Sequence, residues 1–122
     1  MRRLVIDAGV WISALITPTG AGAQLATAFL RNEIQVYASP HLLEELSAVL
    51  ERPKFRRWCT PTQAQDLVRQ IAERAELVPD ILSPPKTTRD PKDDYLVALA
   101  TTYNANLVSG DTEPIVTKSA RK

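Results

Sequence analysis

The chain has 122 residues, enough for one domain around a single core and too few for two. Apolar residues make up 44% and charged residues 24%, ordinary values for a soluble globular protein. Lys and Arg number 15 against 14 Asp and Glu, so there is no bulk positive field of the kind that coats duplex nucleic acid statically.

Leu4-Val5-Ile6 is continuously apolar and β-branched at two positions, the pattern of a strand buried on both faces of a parallel sheet. Residues 8–16 are apolar and predict a helix, which Thr17-Pro18-Thr19-Gly20 breaks. Residues 23–30 predict a second helix, with Leu25, Ala28 and Phe29 on one face and Asn32 as its stop. Residues 34–38 alternate as a second strand. Ser39-Pro40 then supplies an N-cap followed by a proline at the first helical position. The helix over 41–50 carries Leu42, Leu43, Leu46, Val49 and Leu50 at core spacing, and Arg52-Pro53 ends it. Thr60 with Gln63 three residues on forms a capping box for a helix buried by Leu67, Val68, Ile71 and Ala75. Residues 76–79 predict a short third strand, placed at an edge by Pro79. Residues 81–89 read as a loop. Asp90-Pro91 opens a helix through Tyr103, buried by Leu96, Leu99, Ala100 and Tyr103, with Asn104 as its stop. Leu107-Val108-Ser109 is the fourth strand, and the residues after Gly110-Asp111 are expected to fray.

The alternation predicts an α/β fold: a three-layer α-β-α sandwich on a parallel, four-stranded sheet, occupying residues 1–114 with a short tail over 115–122. In such a sheet a helix that follows a strand begins at that strand's C-terminal edge. A helix feeding the next strand runs antiparallel to it and starts at the same edge. Asp7 ends the first strand, Glu45 lies in the helix after the second, Asp93 in the first turn of the helix before the fourth, and Asp111 just beyond the fourth. All four are therefore expected at the edge where open α/β sheets bind ligands.

Each acid also has a plainer explanation. Asp93 can favour its helix dipole or complete a cap with Asp90, and Asp111 can serve a turn. Glu45 has Glu44 beside it, and one of the two must face solvent. Asp7 is hardest to explain this way, because a carboxylate ending an apolar strand costs several kcal/mol if desolvated without a partner. Crowded carboxylates raise one another's pKa unless a cation compensates. Oxygen ligands without His or Cys select Mg²⁺ or Mn²⁺ over Zn²⁺, and such a site suits phosphodiester hydrolysis.

LVIDAGVWISALI, ASPHLLEELSAVLERPKF and TRDPKDDYLVALATTYNANLVSGD together resemble PIN domains, over Arg3 to about Pro114. Within that family the chain is similar to VapC-type ribonucleases, the toxins of bacterial toxin–antitoxin pairs. The resemblance implies an Mg²⁺- or Mn²⁺-dependent endoribonuclease that cuts single-stranded RNA. Its acids would be Asp7, Glu45, Asp93 and Asp111, with Asp94 and Glu113 as second-rank candidates. It also implies an antitoxin protein as partner and a homodimer. Two departures stand out. PIN domains usually follow the first Asp with Thr or Ser and then Asn, where this chain has Ala8-Gly9. They also usually continue past the last Asp with a helix and a fifth strand. Without these the fourth strand is expected to present an open edge, to be covered by a second copy, by the antitoxin, or by residues 115–117 folding back.

Other phosphoryl-transfer folds fit less well. A receiver domain needs an acidic pair after the first strand, and a haloacid-dehalogenase phosphatase needs Asp where Gly9 stands. The alternative from another class is a catalytically impaired PIN-like module that binds RNA or a partner without turnover. Lys54, Arg56, Arg57 and Trp58 combine cations with an aromatic, as phosphate contact and base stacking require; a solvated charge run with Trp58 anchoring a loop is the preferred reading. His41 is expected at the surface near a helix start, Trp11 in the core or an interface, and Cys59 as a small buried hydrophobe. No apolar stretch approaches the ~20 residues of a membrane span. MRRLVID also reaches an acid too soon for a signal peptide, so a cytoplasmic location is expected.

Overall fold

The computed structural model describes residues 1–81, 91–109 and 115–117, with backbone alone for 91–93 and 115–117. Its sheet has the order β3-β2-β1-β4-β5. β1 (Arg2–Ile6) pairs in parallel with β2 (Ile34–Ala38) on one side and β4 (Asn106–Ser109) on the other. β2 pairs in parallel with β3 (Glu76–Leu77), which forms an edge next to Pro79 as the proline predicts. Val5 stands opposite both Tyr37 and Leu107, so β1 is the central strand. Leu4, Val5 and Ile6 are wholly buried. That is why the run is apolar without alternation: both faces of this strand are covered.

The expected four parallel strands are present, and a short fifth joins them. β5 (Ile115–Thr117) lies antiparallel to β4, with Val116 opposite Val108. The open edge expected for β4 is therefore corrected. Of the three covers considered, the fold-back of residues 115–117 is the one in place, and it supplies partners for β4 backbone groups.

The helices are α1 (Ala8–Ile16), α2 (Ala21–Leu30), α3 (Pro40–Leu50), α4 (Pro61–Arg74) and α5 (Pro91–Thr102) among the described residues. α1 packs on α2 and α3, and α3 on α4, while α5 packs on β1 and β4. Their ends follow from local chemistry. Ser39 Oγ accepts from Leu42 N–H at 3.4 Å to start α3. Both halves of the α4 capping box form: Gln63 N–H donates to Thr60 Oγ1 at 3.1 Å, and Thr60 N–H to Gln63 Oε1 at 2.8 Å. Asn32 and Asn104 end α2 and α5 in the left-handed region, with φ of 61° and 56°. Glu33 and Ala105 then donate back to the carbonyls of Ala28 and Ala100.

Two features had no counterpart in the sequence reading. A 3-10 turn, Pro53–Arg57, links α3 to α4. In addition, a Cβ at Gly22 would stand 2.8 Å from the Val10 carbonyl oxygen, so α2 approaches α1 as closely as only glycine allows.

Candidate carboxylate site

The chain leaves β1 for β2 on one side and returns from β3 to β4 on the other, so the topology reverses between β1 and β4. In open α/β sheets the crevice outside the strand ends at such a point is where ligands bind. Asp7 sits there. Its N–H donates to the Val108 carbonyl of β4 at 3.0 Å, and its own carbonyl accepts from Val10 at 3.0 Å and Trp11 at 3.3 Å. Three main-chain bonds thus fix the residue at the junction of β1, β4 and α1. It is half-buried and stands at the N-cap of α1, yet its side chain makes no capping bond. Two residues on, a Cβ at Gly9 would meet, among the described residues, Asp7 Oδ2 alone, at 3.6 Å.

Glu45, half-buried on α3, comes to the same edge. The Tyr95 hydroxyl of α5 donates to its Oε1 at 2.9 Å. Burial pushes the Tyr95 phenol well above the ordinary tyrosine range. The hydrogen bond to Glu45 and the charges of Glu45, Asp7 and Asp80 add to the effect. Tyr95 thus stays a neutral donor, and it reports that Asp7, Glu45 and Asp80 share one electrostatic neighbourhood. Its ring also meets the His41 ring edge-to-face, centroids 4.6 Å apart. Asp80, just past β3, accepts from the His41 backbone N–H at 3.1 Å and so supplies a second cap at the start of α3.

Tyr95 and Asp80 were not among the residues picked from sequence. Tyr95 stands four residues before Leu99 on α5, so helical periodicity signals its burial. Nothing local signals Glu45, 50 positions away. The structure therefore brings Asp7 and Glu45 to one edge. Asp93 is the third residue of α5, and its side chain, like Asp111 and Glu113, lies outside the described residues. Asp94, held as second-rank, is buried, 6% exposed. Among the described residues no three His, Cys, Asp or Glu side chains converge on one point.

The remaining candidates fall elsewhere. His41 is exposed at the second position of α3, as expected. Arg56 turns inward: its guanidinium donates to the Leu50 carbonyl at the end of α3 and to the Cys59 carbonyl at 3.4 Å. Arg57 lies over the Trp58 ring at 5.0 Å, and Lys54 over Phe55 at 5.2 Å. The basic segment thus mostly secures its own turn, and Arg56 departs from the solvated charge run expected there. Trp58 at 43% exposure and Leu30 at 44% flank a cleft of about 360 Å³ between α1, α2 and α4, floored by Trp11 and Phe29. None of the described candidate acids, Asp7, Glu45 and Asp94, lines that cleft. Trp11 is core, edge-to-face with Phe29 at 5.3 Å, and Cys59 is buried with its thiol toward the Phe55 carbonyl.

A mainly parallel sheet flanked by helices α1 to α5 is consistent with a PIN-like fold. The sequence model described as PIN domain matches residues 3–113, and the chain belongs to that family. PIN domains are generally nucleases, often ribonucleases, and typically use divalent metals. The chain is also 27% identical over 123 residues to "Uncharacterized protein MJ1680" of Methanocaldococcus jannaschii, covering 98% of this chain and 77% of that protein. No helix among the described residues is long and apolar enough to cross a membrane.

Proposed function

We propose that the protein is a metal-dependent single-strand endoribonuclease and acts as the toxin of a toxin–antitoxin pair. The observation that carries the reading is Asp7 pinned by its main chain at the β1–β4 switch point, with Glu45 of α3 held nearby by the Tyr95 hydroxyl. Hard carboxylate oxygens fit Mg²⁺ or Mn²⁺. Asp7 and Glu45 would hold the ion together with Asp93 and Asp111. When bound, the ion supplies a water of lowered pKa and neutralises charge on the phosphodiester.

The residues themselves do the rest. Asp7 presents a carboxylate on a backbone fixed by three main-chain bonds, so little reorganisation is needed when charge develops. Glu45 is held by the Tyr95 hydroxyl. An unstacked strand exposes its backbone and bases to a sheet-edge site whereas an A-form duplex does not, so single-stranded RNA is the substrate of this reading. The partners belonging to this reading are single-stranded RNA, an antitoxin protein and a second copy of the chain, in the cytoplasm.

The test is cleavage of single-stranded against duplex RNA, with and without Mg²⁺ or Mn²⁺, alongside Asp7→Asn. We expect metal-dependent cutting of the single strand and a loss of at least ~100-fold in the variant, the scale of removing one element of a preorganised electrostatic site. Equal rates for both proteins would refute the assignment. A second reading, a PIN-like module that binds without turnover, is favoured by Ala8-Gly9, which supply neither the hydroxyl nor the amide that PIN domains usually carry at those two positions. Metal and RNA binding with no cleavage by the unaltered protein would select it.

A further inference from the structure

Tyr95 is seated on α3 at two points four residues apart, its ring against His41 and its hydroxyl on Glu45. Residues at this spacing lie on one face of a helix. The two helices otherwise pack on different neighbours, α3 on α1 and α4, and α5 on β1 and β4. Tyr95 therefore bridges them. It also stands two residues after Asp93, so its bond to Glu45 joins the helix carrying one candidate acid to the helix carrying another.

We propose that Tyr95 is a positioning residue: its hydroxyl fixes the Glu45 carboxylate and the spacing of α3 from the first turn of α5, and so sets the affinity of the site for a divalent cation. This rests on the metal-dependent reading above. A carboxylate has about four lone-pair positions on two oxygens. The Tyr95 O–H occupies one of them, on Oε1, and among the described residues no other hydrogen bond to Glu45 competes for Oε2. Without that bond the side chain recovers rotamer freedom and must be ordered again each time a cation binds. Partners of this kind, which orient a ligand without touching the ion, are worth 10–100-fold in metal affinity. Tyr95 is only 7% exposed, so water cannot easily replace the hydroxyl.

Tyr95→Phe removes the hydroxyl and keeps the ring against His41. Mn²⁺ binding to the full chain would be followed by the loss of the free-ion electron paramagnetic resonance signal, for wild type, Tyr95→Phe, Glu45→Gln and the double variant. We expect Tyr95→Phe to weaken Mn²⁺ binding by about 10–100-fold. We expect it to have no further effect, within about twofold, once Glu45→Gln is present, because Tyr95 acts through Glu45. Loss of fold stability alone would lower affinity in both backgrounds alike, and such additivity overturns the proposal. So does unchanged affinity in Tyr95→Phe beside a wild type that binds. A wild type that binds no Mn²⁺ overturns the metal-dependent reading itself, and this inference falls with it.

Discussion

Gly9 and Gly22 lie on neighbouring helices, and the same substitution is expected to have opposite effects at the two. At Gly9 an added Cβ meets, among the described residues, Asp7 Oδ2 alone, at 3.6 Å, an ordinary contact. Gly9→Ala then gains helix propensity and loses unfolded-state entropy, about 0.5–1 kcal/mol in all. At Gly22 the Cβ would lie 2.8 Å from the Val10 carbonyl oxygen and 3.3 Å from Ala14 N, both backbone atoms that cannot rotate away. Overpacking of that kind costs about 1–3 kcal/mol, which outweighs the same propensity gain and leaves a net loss of about 1 kcal/mol. With 122 residues at about 2.1 cal/mol/K each, the unfolding entropy is about 0.26 kcal/mol/K, so 1 kcal/mol corresponds to about 4 °C. Differential scanning calorimetry without metal should show Tm rising by about 2–4 °C for Gly9→Ala and falling by about 4 °C for Gly22→Ala. A rise or no change in Tm for Gly22→Ala would refute the α1–α2 approach as the reason for Gly22, and a fall for Gly9→Ala would refute the ordinary contact argued there.

Asp93→Asn should raise the stability of the metal-free protein, because repulsion among crowded carboxylates falls, and should abolish the stabilisation produced by Mn²⁺ in a thermal-shift titration. A full metal response in that variant would remove Asp93 from the site. Alkaline pH should expose the state of Tyr95. Its folded pKa lies above the unfolded value of 10.0, so the stability it contributes is complete below pH 10 and is lost as pH rises beyond it. Denaturant unfolding between pH 9 and 11.5 should therefore fall more steeply for wild type than for Tyr95→Phe, by up to about 1.4 kcal/mol per pH unit. Parallel slopes would show that the phenol is not held neutral by the fold.

The elements legible in the sequence are those whose signals are local. α1 begins and ends at the residues its apolar run and Thr17-Pro18 indicate. α3 and α4 start at caps whose donors and acceptors are within three residues of each other. Convergence of Asp7 and Glu45 on one edge was legible because strand and helix direction in a parallel sheet leave no other place for them. The Tyr95–Glu45 and His41–Asp80 bonds span 50 and 39 positions, and no short-range pattern specifies which polar groups meet at that separation. The 3-10 turn was missed for a related reason. It depends on Arg56 reaching the Leu50 carbonyl, while its composition reads as a solvated charge run. β5 is three residues long, too short for period-two alternation to distinguish it from a tail.

Asp7 carries a further argument in what its side chain does not do. Asp, Asn, Ser and Thr are the side chains that cap helices, and Ser39 and Thr60 both accept bonds from the N–H groups of the helices they begin. Asp7 holds the same position on α1 with the same extended backbone, φ −62° and ψ 149°, and forgoes a cap bond of about 1 kcal/mol. A residue kept only to start the helix would be expected to take that bond. A carboxylate left out of that bond, at the point where the sheet reverses, forgoes helix stabilisation and keeps its charge at the crevice. The same geometry makes Asp7→Asn a sharp probe. The amide is nearly isosteric and no α1 cap bond is at stake, so Tm measured beside cleavage separates a folding effect from a catalytic one. A fall of ~100-fold or more in RNA cleavage, with Tm unchanged or higher, would then report the lost charge alone.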